Sequence, residues 1–393
     1  MAQVSPLNSD DQPHLEPVVY HAKARDRFLF AWYIIAELAP IIIQYIVIFG
    51  GMIWMVSATV LTKYLTTVPG MVFIEVAALN LPSPIVIALP MAMLLGSILA
   101  FQKLSNDSES VAMLSSGISF YQMLKPTVAI GVIVTIIGLC INNSLVPYAT
   151  YKLNDMKAHV LNDPSASTAA ARPFNLPDLR DHNQHLLATV HIEGGYDTRA
   201  RAMRNITIVE FDPKSGRVTA VVNADKARWK GNQTWEMYDV NTMTATGLNF
   251  SAPELATRDI NAAPNTVAFL DQTPDSLTFE QLARQILILR RAGAGKLDVV
   301  RLAEVDLWNK ISLPCASLVF ALIGAPLGFR PQRGGTKGTA VALGLTIVFA
   351  YYFLYKMMEI LGQGGHCDPF TAAFLPDFLA AFAAAGLIAT VTT

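Results

Sequence analysis

The sequence predicts a membrane protein of two parts: six transmembrane helices, and an all-β domain held between the third and the fourth. Three observations carry this. Long apolar runs are grouped three and three around a polar block over residues 150–275. Within that block the hydrophobic period changes from helical to two, the strand period. The chain is 52% apolar and only 15% charged, which is too apolar for an ordinary soluble globule.

A helix rises about 1.5 Å per residue, so about 20 apolar residues cross a hydrocarbon core of about 30 Å. Ala31–Leu61, Met71–Phe101, Met123–Tyr148, Leu307–Phe329, Thr339–Leu361 and Phe370–Val391 all meet that length. Six such runs exceed what the core of one soluble globule of this size accommodates. The first 20 residues are polar and lack the pattern of a signal peptide, so residues 1–30 read as a cytoplasmic segment ahead of an uncleaved first span. Spans one to three then occupy residues 31–149, and spans four to six residues 305–393. The second span holds Pro82, Pro84 and Pro90. Proline removes a backbone donor, so either the helix starts near Pro84 after an interfacial segment, or it bends. A bend must face protein or water rather than lipid.

Orientation follows from basic residues in the short loops. Lys23, Arg25, Arg27, Lys103, Lys125, Arg330, Arg333 and Lys337 fall on one side, and Lys63 alone on the other. Both termini are therefore expected in the cytoplasm and the polar block outside it. The block's own basic residues do not oppose this, because long domains are translocated largely regardless of charge. No basic stripe with interleaved aromatics occurs, so nucleic acid is not an expected partner. Cys140, Cys315 and Cys367 are too scattered for a disulfide framework or a metal cluster.

Inside the block, NITIVEFD (Asn205–Asp212), GRVTAVVNADKARW (Gly216–Trp229) and TWEMYDV (Thr234–Val240) largely alternate apolar and polar residues. DPKSG and KGNQ between them are turn chemistry, so antiparallel strands are expected. Ser276–Gly293 then reads as an amphipathic helix, within a connecting segment over residues 276–304. Leu277, Phe279, Leu282, Ile286 and Leu289 recur at roughly helical spacing, while Arg284, Arg290 and Arg291 are set for solvent or for lipid head groups.

No catalytic motif is present. AGAGKL (Ala292–Leu297) lacks both the spacing and the final hydroxyl of a phosphate loop. His182, His185 and His191 form a close group without a cysteine, which reads as solvated loop histidines. No catalytic residue, metal ligand or cofactor is expected in this chain, and any ATP would be bound by another. Charged residues in or beside spans are costly, which singles out Glu37, Glu75, Asp306, Lys310, Lys356 and Glu359. Asp306 and Lys310, four apart, can pair; Lys356 and Glu359, three apart, can pair or line a polar cavity. Gly324 and Gly328 are a small-xxx-small pair that permits close helix approach.

The loop between spans two and three is the sharpest local feature. KLSNDSESVAMLSSG (Lys103–Gly117) reads as a short cytoplasmic helix within residues 105–117. Asn106 with Glu109 three residues on is a capping-box pattern, Ala112 and Leu114 give an apolar side, and Gly117 ends it. Such an insert suits docking on a partner, or lying on the membrane surface.

At this loop the chain resembles the lipopolysaccharide-export permeases. LPMAMLLGSILAFQKLSNDSESVAMLSSGIS (Leu89–Ser119), INNSLVPYA (Ile141–Ala149), VNADKARWKGNQTWEMYDV (Val222–Val240) and NKISLPCASLVFALIGAPLGFRPQRGG (Asn309–Gly335) carry the likeness, in order, over about residues 26–393. The resemblance implies a jellyroll-like fold for the β domain, placed in the periplasm of a bacterium whose inner membrane holds the spans. It implies a second permease subunit, a dimeric cytoplasmic ATPase that binds ATP and Mg, and a periplasmic jellyroll bridge that receives lipopolysaccharide or a related glycolipid. It assigns ATPase coupling to Asn106, Ser108, Glu109 and Leu114. Lys63, Lys356 and Glu359 are the expected cavity residues, because the outer half of the first span, GGMIWMVSATVLTKYL (Gly50–Leu65), offers only Lys63 as a basic group. A membrane receptor or scaffold with an outer binding domain is the alternative. A proton-coupled transporter is disfavoured, since the two halves show no repeat.

Overall fold

The structure, a computed structural model, describes residues 24–59, 70–159, 174–176, 179–180, 185–197, 201–213, 215–231, 234–245, 249–252, 256–260, 264–291, 298–329 and 337–392. The amino-terminal half of the bundle consists of α1 (Ala24–Ala58), α2 (Gly70–Leu79), α3 (Pro82–Asn106), α4 (Glu109–Ser115), α5 (Phe120–Cys140) and α6 (Val146–His159). Nine strands follow: β1 (Phe174–Asn175), β2 (Leu179–Arg180), β3 (Leu186–Ile192), β4 (Tyr196–Asp197), β5 (Ala202–Phe211), β6 (Val218–Gly231), β7 (Thr234–Thr244), β8 (Asn249–Ala252) and β9 (Ala256–Asp259). The chain closes with α7 (Pro264–Leu270), α8 (Phe279–Arg291), α9 (Asp298–Phe329), α10 (Lys337–Gln363) and α11 (Pro369–Thr392). Among the described residues six helices are long and apolar enough to span a membrane: α1, α3, α5 continued into α6, α9, α10 and α11.

The three prolines of the second span divide it. α2 ends at Leu79 and a new helix begins at Pro82, one position where a missing N–H costs nothing. Pro90 lies inside α3 and is buried, and the Tyr352 hydroxyl donates to the neighbouring Ile87 carbonyl at 2.7 Å. The Pro90 site thus faces protein, as the absence of water in a bilayer requires. The third span runs past Tyr148 because a π-helical turn, Ile141–Leu145, joins α5 to α6 without a break.

α3 is the centre of the bundle: 78% of its most apolar stretch is buried, against 17% for α1. Small residues make this possible. A Cβ on Gly324 would lie 2.6 Å from that of Ser97, and one on Gly328 would strike the Ile98 carbonyl. The small pair of the fourth span therefore seats α9 directly on α3, where van der Waals packing holds helices that lipid would solvate equally well. Gly96 admits Ile42 of α1 in the same way, at 2.5 Å.

The sheet is antiparallel throughout, and its long strands β3, β5, β6 and β7 pair in sequence. β1 and β2 share one edge of β3, and β8 and β9 one edge of β7, so each outer strand is an interrupted one. The DPKSG turn sits between β5 and β6 with Gly216 at φ 65°, a conformation that favours glycine. Burial alternates along β6 and β7, leaving one face apolar. Leu277, Leu282, Ile286 and Leu289 cover that face and share a core with Val222, Trp235 and Met237. The amphipathic stretch is therefore a lid on the sheet. Its polar face carries Arg284, paired with Glu280, and Arg290, paired with Glu304 of α9 at 2.5 Å.

Two adjacent asparagines on the π turn each tie it to a neighbour, and only Asn143 ties it to the helix that covers the sheet. Asn142 donates to the Lys310 carbonyl of α9 at 2.8 Å, and Asn143 accepts the Phe279 N–H, at the start of α8, at 2.8 Å. Thr278 and Gln281 complete a reciprocal capping box there, at 2.9 and 3.3 Å.

Candidate functional site

The α3–α4 elbow brings Asn106, Ser108, Glu109 and Leu114 together, though by a different local structure from the one their spacing suggests. Asn106 is the last residue of α3, and α4 starts at Glu109. Ser108 precedes it at φ 58° with no side-chain cap, so the expected Asn106–Glu109 capping box is not formed. The reason is that α3 is anchored by α9, down to a Ser105 hydroxyl on the Phe329 carbonyl at 3.3 Å, and continues through Asn106. The far end matches expectation. Gly117, at φ 84°, closes a Schellman motif in which Ile118 N–H reaches the Met113 carbonyl at 3.1 Å and Gly117 N–H the Leu114 carbonyl at 3.0 Å.

Glu109 does not cap its own helix. Its Oε2 accepts the Tyr33 hydroxyl of α1 at 2.5 Å. One turn along α1, Glu37 Oε1 accepts the Lys103 ammonium of α3 at 2.6 Å. Val111 and Leu114, three apart on α4, are 63% and 45% exposed, so the short helix presents an apolar edge beside a carboxylate.

Lys356 and Glu359 pair at 2.7 Å, and Lys356 also lies over the Tyr355 ring, 5.7 Å from its centroid. At about 1.5 Å per residue this pair is about 28 Å along α10 from its start at Lys337, near the end opposite the elbow. Lys63 lies outside the described residues. Glu75 joins α2 to Lys152 of α6 at 2.6 Å. Lys310 is almost wholly buried where α9 meets the β domain, and the carboxylates of Asp275 and Asp306 are the charges acting on it. His182 is likewise outside the described residues; His191 Nε2 stands 3.9 Å from Glu193, and no three metal-ligating side chains converge among the described residues.

The sequence reading missed a buried polar cluster across the last three spans. Asp377 of α11 is 5% exposed. Its Oδ1 accepts the Tyr351 hydroxyl of α10 at 2.6 Å, and its Oδ2 lies 2.8 Å from the Ser312 hydroxyl of α9, which also meets the Ala373 carbonyl at 2.6 Å. The available signal was that Asp377 is the lone charged residue in the sixth apolar run, directly after Pro376. In the β domain, Asp271 is a second, half-buried acid. Burial raises its carboxyl to about 6, against a backbone hydrogen bond from Tyr196 that lowers it, and its Oδ1 has no partner.

Six apolar helices of spanning length with an antiparallel sheet inserted between the third and the fourth define a polytopic membrane protein with an inserted β domain. The family model described as lipopolysaccharide export system permease LptF/LptG matches residues 32–390, and the chain belongs to that family. It is similar to the lipopolysaccharide export system permease protein LptG of Escherichia coli K12, with 23% identity over 316 residues, 76% of this chain and 80% of that protein. It is also similar to the protein of the same name from Haemophilus influenzae, with 25% identity over 288 residues, 72% of this chain and 75% of that one.

Proposed function

We propose that this chain is a transmembrane subunit of an ATP-driven exporter that lifts lipopolysaccharide, or a related glycolipid, out of the bacterial inner membrane and passes it to a periplasmic bridge. The observation that carries the reading is the elbow. α4 stands at the end of the bundle remote from the β domain, with Val111 and Leu114 exposed and a carboxylate at its first residue. An apolar edge flanked by a charge suits insertion into a groove with a basic residue, here the groove of a dimeric cytoplasmic ATPase that holds the ATP and Mg. A second permease subunit, a paralogue or another copy, completes the cavity. Basic loop residues favour cytoplasmic termini and a periplasmic β domain. Lys356 and Glu359 then face the lipid, with the Lys356 ammonium, 66% exposed, free to exchange its Glu359 contact for a phosphate, and Lys63 is the third candidate the sequence supplies.

The test is Glu109→Lys. Charge reversal is expected to leave the β domain and bundle folded while the ATPase no longer co-purifies and export stops. Normal co-purification and export by that variant would remove the elbow from the coupling path. A membrane receptor, by contrast, would yield no ATPase even from the unaltered protein.

A further inference from the structure

The coupling reading explains why α4 is exposed but not how its displacement reaches the spans. α1 is the least enclosed of them. Its fully buried side chains form one row, Ile34, Leu38 and Ile42, spaced four apart, with Ile42 seated on Gly96 of α3. The adjacent row is polar. Tyr33 reaches Glu109 on α4, and Glu37 reaches Lys103 on α3. The same helix face thus carries a permanent apolar seam and, beside it, two polar contacts to the two limbs of the elbow.

The elbow joint makes the first contact consequential. Ser108 holds α4 off the axis of α3 in a left-handed conformation that side chains other than glycine rarely adopt. The direction of α4 is set by what α4 touches, not by continuation of the preceding helix. A carboxylate has room for several donors. Glu109 accepts Tyr33 on Oε2, and Oε1 remains for a cation from a docked partner. One side chain can therefore be gripped from both sides. A hydrogen bond from a phenol to a carboxylate is short, directional and charge-assisted, which suits it to carry a displacement.

We propose that the Tyr33–Glu109 hydrogen bond, backed by the Glu37–Lys103 pair one turn away, transmits movement of the α4 elbow to the first span, with Tyr33 as a positioning residue for energy coupling. This rests on α4 being the ATPase-docking element.

The experiment uses the complete complex in proteoliposomes containing lipopolysaccharide and reads lipid released per ATP hydrolysed. Tyr33→Phe keeps the ring and removes only the donor. It is expected to assemble and hydrolyse ATP, while the lipid-to-ATP ratio falls on the order of fivefold or more. An unchanged ratio overturns the proposal. The second contact is read by charge exchange: Glu37→Lys and Lys103→Glu should each lower the ratio and the double variant restore it. Should Tyr33→Phe fail to assemble, absence of that restoration overturns the proposal by itself. If the unaltered protein assembles with no ATPase, the docking assignment falls and the transmission proposal with it; a normal complex with an insensitive Tyr33 removes the proposal alone.

Discussion

Two polar clusters tie the spans of this protein together, and they are built in opposite ways. The Asp377–Ser312–Tyr351 cluster is buried and joins α9, α10 and α11. The Tyr33–Glu109 and Glu37–Lys103 contacts are exposed at the rim and join α1 to α3 and α4. A buried polar group that loses its partner bears its full desolvation cost, whereas an exposed one is re-solvated at once. The difference separates the part of the bundle that is fixed from the part that can exchange partners.

Asp377→Ala tests the fixed side and should have the largest effect. It leaves the Tyr351 hydroxyl without its acceptor in an apolar core and opens a cavity, while Ser312 keeps the Ala373 carbonyl; a loss of about 2–4 kcal/mol is expected, read as a lower midpoint of thermal or denaturant unfolding in detergent. Asp377→Asn keeps one acceptor for Tyr351 and should cost less; equal losses would mean that the cluster acts through charge rather than hydrogen bonding. Gly328→Ala comes next. Its Cβ would strike the Ile98 carbonyl, and backbone yields poorly, so a destabilisation of about 1–3 kcal/mol is expected.

Asp271 extends the comparison to the β domain. Its folded carboxyl titrates at about 6, above the ordinary value of 3.8. The folded state therefore binds the proton more tightly, so stability is greatest below the ordinary value, falls as pH rises towards about 6, and is level above it. The swing is about 3 kcal/mol. Asp271→Asn should flatten that profile and raise the unfolding midpoint at pH 7.5; a wild-type midpoint that rises between pH 4 and 6 would contradict the assignment. The smallest effect on stability belongs to the rim. Lys103→Gln should leave the unfolding midpoint almost unchanged, as exposed ion pairs contribute little. A large loss there would erase the distinction between fixed and exchangeable ties.

Two helix starts show how packing overrides a local pattern: the Asn106 cap is expected from the sequence, while the Thr278 cap comes to light only in the structure. Asn106-x-x-Glu109 and Thr278-x-x-Gln281 are both capping patterns, yet only the second forms a box. Before Thr278 a short 3-10 turn, Pro274–Ser276, ends and Leu277 is extended, so no helix runs through the cap residue. At Asn106 the preceding helix, held by α9, runs straight through it. A local pattern cannot register that competition.

By itself, the sequence determined the six spans, their grouping around a β domain, the turn at Gly216, the end of α4 at Gly117 and the apolar face of α8. Each of these follows from length, period or the conformational freedom of one residue, which are local properties. Tertiary structure alone decided that α3 is central and α1 peripheral, since equally apolar helices differ only in which small residues meet a neighbour. It also decided that Glu109 reaches Tyr33, 76 residues away, and that Asp377 finds two hydroxyls on two other helices. Those contacts depend on crossing points between distant segments, and hydropathy carries no record of them.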